Sequence, residues 1–243
     1  MDELSLLSGE SLVLPCGIKI LHPTVRMIQK FGEQEYFSYI QTITAYPTDY
    51  RVELYDIGVD AETLTDFELF LYTKDSLSSE MTAALFGDID WKDFIPMMNK
   101  ETNQVNIVRP SDMLAIDPFI FSQIVGFITK IHNIEKKRQI SGNSHTKKFL
   151  IEMERMERQA LAAQNKRKPY ESTLAPLISC IANSAGSSYT YEECFDLPLY
   201  VIFDSIRRIQ RIMSYQNLMH GIYAGTVDSK KIKPSEYNWM EKL

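Results

Sequence analysis

One stretch constrains the fold more than any other: Thr190 to Gly225, TYEECFDLPLYVIFDSIRRIQRIMSYQNLMHGIYAG. Thr190 followed three residues later by Glu193 forms a capping box, in which the two side chains satisfy backbone N–H groups that a helix start leaves unpaired. Pro198 lacks an N–H and crowds the carbonyl four residues before it, so the pattern breaks there and a long helix begins with Pro198 at its first position. Leu199, Ile202, Phe203, Ile206, Ile209 and Met213 recur at three- and four-residue spacing and form one apolar stripe. Arg207, Arg208 and Arg211 fall mostly off it, and Gly225 suits a C-terminal cap. This is a packing element, and it carries no chemistry of its own.

The same grammar runs through the rest of the chain. Pro23 opens a helix that Gly32 ends, and Glu33 to about Thr44 makes a second with Tyr36, Phe37, Tyr39, Ile40 and Ile43. The segment Tyr50 to Ile57 reads as strand or helix, and Thr48, Asp49 and Gly58 tip it to helix. Thr65 with Glu68 is another capping box, Ser78 or Ser79 caps the next helix, and Gly87 ends it. Asp117-Pro118 starts a helix predicted to reach Lys137, with Phe119, Phe121, Ile124, Phe127, Ile128 and Ile131 apolar. Alternation marks two strand candidates, Leu12–Leu21 and Gln104–Arg109, with Ile18–Leu21 predicted to pair with the second. The resulting fold class is mainly α: a multi-helix domain with a small β-hairpin or short sheet near the N-terminal half and a long C-terminal amphipathic helix. The domains are drawn at 1–137, a charged helical arm at 138–170, and a C-terminal helical domain at 171–243.

Charge is distributed unevenly. The net charge is -6, yet Lys130 to Lys168 holds eleven Lys or Arg against four Asp or Glu. Within it, Phe149, Leu150, Met153 and Met156 form a narrow apolar stripe, with Leu161 beyond, as on a coiled-coil-like or solvated helix. Phosphate-binding segments are basic in this way, but single-strand binders interleave stacking aromatics, and Phe149 is the one aromatic in the most basic stretch. The arm is therefore read as meeting an acidic protein partner or another copy of the chain, with nucleic acid as the weaker alternative. The candidate contact residues are Lys147, Lys148, Phe149, Met153, Arg155, Met156 and Arg158, joined by Tyr237, Trp239 and Met240 near the C-terminus, where large aromatics serve as interface anchors.

Catalytic and metal patterns are missing from the sequence. There is no GxSxG, HExxH or phosphate-binding loop, and His22, His132, His145 and His220 stand far apart. Asp88, Asp90 and Asp93 lack the turn glycine and terminal glutamate of a calcium loop. Cys16, Cys180 and Cys194 are odd in number, lack CxxC spacing and read as small core residues of a reducing compartment. The expectation is a non-enzymatic protein with no catalytic, cofactor or metal residues and no cofactor. An acidic start without an apolar run argues against a secretory signal, and no stretch approaches a membrane span.

Several of these segments together carry a family resemblance. GIKILHPTV, GEQEYFSYIQTIT, YDIGVDAETLTDFELF and LFGDIDWKDF come first, then TKKFLIEMERM, then YTYEECFDLPLYVIFDSIRRIQRIMSYQNLMHGIYAGTVDSKKI. In this order they resemble structural-module proteins of tailed bacteriophages of Gram-positive hosts. The resemblance implies a tail-assembly chaperone or baseplate-hub assembly protein, with the tape-measure protein or baseplate hub as partner. A virion component of the baseplate or connector is the alternative, and a nucleic-acid-binding phage protein the third. The implied location is the host cytoplasm during assembly, or the virion. No functional residue is carried over by the resemblance.

Overall fold

A computed structural model describes residues 2–100, 104–165 and 169–240. In chain order its elements are α1 (Glu3–Ser8), β1 (Leu12–Val13), β2 (Lys19–Ile20), α2 (Val25–Phe31), α3 (Glu33–Ile43) and α4 (Arg51–Asp56). Next come α5 (Asp66–Thr73), α6 (Ser79–Phe86), β3 (Ile95–Met98), β4 (Val105–Arg109), β5 (Leu114–Ile116) and α7 (Pro118–Ile131). The chain continues through α8 (Ser144–Asn165), α9 (Leu174–Asn183), α10 (Tyr191–Asp196) and α11 (Leu199–Tyr223). The protein is mainly helical with two small antiparallel sheets, as the sequence pattern predicts. Two compact units divide it: Ser11–Leu21 with Met27–Ser172, and Met1–Glu10 with His22–Arg26 and Thr173–Leu243. The 138–170 stretch lies inside the first unit, and the N-terminal ten residues join the C-terminal segment.

The first unit is organised around aromatic side chains. Trp91 is fully buried, with Phe70, Phe86 and Phe94 at 5.2, 5.0 and 5.8 Å between ring centroids. Phe70 also stacks on Phe121 of α7 at 4.5 Å. Burying an indole or phenol requires a partner for its polar tip. Trp91 Nε1 donates to the Tyr39 hydroxyl at 3.2 Å, and that hydroxyl lies 3.0 Å from Thr82 Oγ1. Burial pushes the Tyr39 phenol up to about 12. His132 Nδ1 lies 2.7 Å from the Ile128 carbonyl, which can only accept, so Nδ1 carries the proton and Nε2 accepts from the Tyr36 hydroxyl at 2.7 Å. His132 is therefore a satisfied core residue.

The predicted strand pairing is corrected. β1 pairs with β2 (Leu12↔Ile20, Val13↔Lys19), and β4 pairs with β3 and β5 (Pro96↔Ile107, Ile107↔Ile116), so Ile18–Leu21 and Gln104–Arg109 belong to different sheets. Each strand takes a partner close in sequence, which closes a short loop at lower entropic cost than a pairing across some eighty residues. Ile95–Met98, for which the sequence pattern predicts no strand, supplies the partner of β4 on one side. α7 stops at Ile131, short of Lys137, because Asn133 adopts φ 51° and Ile134 N–H returns to the Thr129 carbonyl at 3.0 Å. That left-handed residue closes the helix end.

The second unit is built on α9, α10 and α11, with α1 against α11. The Thr190–Glu193 capping box starts α10 as predicted. α11 begins at Leu199, directly after Pro198, which forms an isolated antiparallel bridge with Thr24, and Leu199 N–H donates to the Pro23 carbonyl at 2.8 Å. Arg26 binds Asp196 and Glu192 at 2.6 and 2.7 Å and stands 5.9 Å from the Phe195 ring centroid. Of the predicted stripe, Leu199 and Ile202 are buried, Ile206 and Ile209 half-buried, and Met213 exposed. Cys194 is a core residue, whereas Cys16 is half-buried and Cys180 exposed, which corrects the reading of all three as core.

Candidate partner-binding helix

The candidate contact residues of the basic segment lie on α8, and their local chemistry explains how that helix is held. At 100° per residue, Lys147, Ile151, Glu154 and Arg158 share one face. This face meets α4 and the loop after it. Ile151 is 3 % exposed and is the sole fully buried residue among the described side chains of α8. Glu154 receives Arg51 of α4, a guanidinium only 1 % exposed, whose Nη2 also donates to the Gln139 carbonyl at 3.0 Å.

Arg158, Arg155 and Lys147 run antiparallel to a row of acids. Arg158 pairs with Glu53 and donates to the Asp49 carbonyl at 2.8 Å; Arg155 pairs with Asp56 at 2.6 Å; Lys147 pairs with Asp60 and lies 3.9 Å from Glu62. Before the helix, Lys136 reaches Asp49 at 3.2 Å and Arg138 donates to the Leu64 carbonyl at 2.8 Å. The hydrogen bond from Lys147 holds the Asp60 carboxyl below its usual range, and bonds from Ser141 do the same for Glu62. Lys136, Arg138, Lys147, Arg155 and Arg158 thus face this chain's own acids and carbonyls. Lys166, Arg167 and Lys168, which close the basic segment, lie outside the described residues.

The opposite face of α8 carries the predicted stripe. Phe149, Met153 and Met156 are 59 %, 37 % and 59 % exposed, and Ala160 and Ala163 continue the row in the exposed class. Lys148 is exposed at the edge of a cavity of about 270 Å³ lined also by Tyr55, Ile151, Glu152 and Arg155. The seven α8 candidates therefore divide by face: Lys147 and Arg158 inward, Lys148 and Arg155 at one edge, and the three apolar residues outward.

Tyr237, Trp239 and Met240 belong to the second unit. The Tyr237 hydroxyl donates to the Ser229 carbonyl at 3.2 Å, and the Trp239 carbonyl accepts from Arg208 Nη1 at 2.6 Å. The Trp239 and Met240 side chains are exposed.

Sequence reasoning missed Ile151, Arg51 and the acids Glu53, Asp56, Asp60 and Glu62. A partial signal exists: the acids Asp49, Glu53, Asp56 and Asp60 recur every three or four residues, and Arg155 and Arg158 stand three apart as Glu53 and Asp56 do.

No helix among the described residues is long and apolar enough to cross a membrane. No curated protein and no solved structure matches the chain. Its last 80 residues, 164–243, match the family model described as the YomV second domain, and this match to a Bacillus phage-type family suggests a phage protein.

Proposed function

We propose that the chain is a non-enzymatic phage morphogenesis protein that works by protein–protein association during tail building. In this reading it is an assembly chaperone for the tape-measure protein or the baseplate hub, acting in the host cytoplasm, and α8 is its contact helix. The observation that carries the reading is the outward face of α8, where Phe149, Met153 and Met156 are presented in one row on a helix whose other side is tied down. An apolar row of this kind suits a helical partner, the general mode of helix-in-groove and coiled-coil recognition. The YomV match supports the phage setting.

The internal ion pairs also bear on nucleic acid. Cations already facing Glu53, Asp56 and Asp60 have less to gain from phosphate, and the molecule as a whole is acidic.

A tagged copy expressed during infection tests the role. The chain should co-purify with a long helical structural protein from infected cells and be absent from finished particles by mass spectrometry. Stoichiometric presence in particles would assign it to the virion instead. Co-purification with no structural protein, together with absence from particles, would remove the morphogenesis role.

A further inference from the structure

α8 is fastened along one thin seam. Among its described side chains Ile151 alone is buried, Lys147, Leu150, Glu154 and Arg158 are half-buried, and the others are exposed, including all of 159–163. The pairs Lys147–Asp60, Arg155–Asp56 and Arg158–Glu53 join side chains that keep part of their exposure. Pairs of that kind hold weakly, and salt screens them. Under the seam lies the Arg51 guanidinium, bonded to Glu154 and to the Gln139 carbonyl. Its Nε is buried too and, among the described residues, has no hydrogen-bond partner. Docking α8 therefore includes the cost of desolvating a guanidinium with one N–H unmatched, and lifting α8 returns that group to water.

The start of the helix suits a hinge. The segment before it is held by Lys136 on Asp49, Arg138 on the Leu64 carbonyl and Ser141 on Glu62. α8 carries its own cap, since Asn143 Oδ1 accepts from the Thr146 N–H at 2.9 Å. Between the last anchor and the cap stands Gly142, exposed, where an added Cβ would meet nothing within 4 Å. A glycine with no packing around it turns freely, and the cap on its far side travels with the helix.

We infer that α8 is a strap: it lifts off the first unit as one piece about Gly142, is latched by Glu154 on Arg51, and is loosened by ionic strength while the aromatic core stays folded. Closed, it shows a partner its apolar row. Open, it adds Lys147, Arg155 and Arg158, released from Asp60, Asp56 and Glu53. That consequence rests on the proposed role of α8 as contact helix; the opening itself does not.

Amide hydrogen exchange on the full chain tests it, because local opening and global unfolding give different protection. A helix detached in water is marginal, so its amides exchange once the strap lifts. Corrected for intrinsic rates, residues 148–158 should share one level of protection, at least about a hundredfold below that of the buried turns of α7. Between about 0.1 M and about 1 M NaCl the Debye length falls from about 10 Å to about 3 Å, and opening of 148–158 should rise about fivefold. In low salt, Glu154→Ala should raise it about tenfold or more. Arg51→Met/Glu154→Leu should restore most of the protection, a rescue that a misfolded variant would not produce. Protection equal to that of α7 would make α8 part of one cooperative core, and protection graded from the helix ends would mean fraying in place; either result overturns the strap. So would the absence of a salt response, or a double variant that exchanges as fast as Glu154→Ala. The measurement contains no partner: its failure removes the strap, while failure of the infection experiment removes the morphogenesis role and leaves this measurement standing.

Discussion

α7 and α8 look alike in sequence and do opposite things in the fold. Each presents a row of large apolar residues at helical spacing. In α7 the row points inward: Phe121, Ile124, Phe127, Ile128 and Ile131 are all buried, and Phe121 stacks on Phe70. In α8 the row points outward, and the docked side is made of Lys147, Glu154 and Arg158 around the single buried Ile151. Periodicity reports that a helix has two unlike faces; it does not report which one the rest of the chain covers. What decides is the complementary surface. α7 meets the aromatic core, whereas α8 meets an acidic rim and a buried arginine, so its polar side is the one that docks.

The largest break of this comparison comes from paired truncations. Ile128→Ala should destabilise the first unit by about 3 kcal/mol, since a fully buried branched side chain leaves a cavity that the surroundings only partly fill. Phe149→Ala should change stability by about 0.5 kcal/mol or less despite removing a larger side chain, because that ring is mostly in water. Equal shifts in urea denaturation midpoints would mean that α8 docks by its apolar face after all.

Next in size is the ion pair beneath α8. Among the described residues, Glu154→Ala leaves the buried Arg51 guanidinium with only the Gln139 carbonyl, a change that costs about 3 kcal/mol when a buried pair loses one member. The double variant Arg51→Met/Glu154→Leu removes both charges and should be more stable than Glu154→Ala alone. A double variant less stable than the single would show that the pair stabilises the fold beyond mutual compensation.

These two tests also mark what the sequence made legible. Helix ends were readable where a side chain satisfies local backbone groups: the boxes at Thr65 and Thr190 and the Asp117-Pro118 start all hold. Such signals act within one turn, and the chain contains both members of each. Strand partners were not readable: Leu12–Leu21 was marked as strand but pairs within itself, Leu12–Val13 against Lys19–Ile20, and Leu114–Ile116 is too short to announce itself. The role of Arg51 was hidden for another reason. An arginine between Tyr50 and Val52 reads as solvated, and only the arrival of Glu154 from 103 residues away makes its burial tolerable. In α8 the helix and its stripe were legible and its orientation was not. Lys147, Arg155 and Arg158 entered as candidates for an outside partner, and their partners lie within the chain.

A smaller effect separates the peripheral pairs from the buried one. Arg158→Ala and Arg155→Ala should each cost about 0.5 kcal/mol, because both partners in each pair keep much of their exposure and salt screens them. Raising ionic strength should shrink that loss while leaving the cost of Glu154→Ala nearly unchanged. A loss above about 2 kcal/mol for either arginine would place it with Arg51 as a structural pin.

The smallest effect is acid-linked loosening at the start of α8. Asp60 and Glu62 have folded pKa values below their ordinary values of 3.8 and 4.5, the first because of Lys147 and the second because of Ser141. A carboxyl whose pKa is lower in the folded state binds fewer protons there than when detached, so its contribution is fully present above the ordinary value and is lost as pH falls through the folded one. Both contacts should therefore hold at neutral pH and weaken below about pH 4, a window set by those carboxyls. Amide exchange at residues 147–151, corrected for its intrinsic pH dependence, should accelerate there before exchange in α7 does. Lys147→Ala should remove the Asp60 share and leave that of Glu62, which depends first on Ser141. If residues 147–151 and the buried turns of α7 lose protection together, α8 is no peripheral helix tied on by ion pairs but part of the same cooperative core.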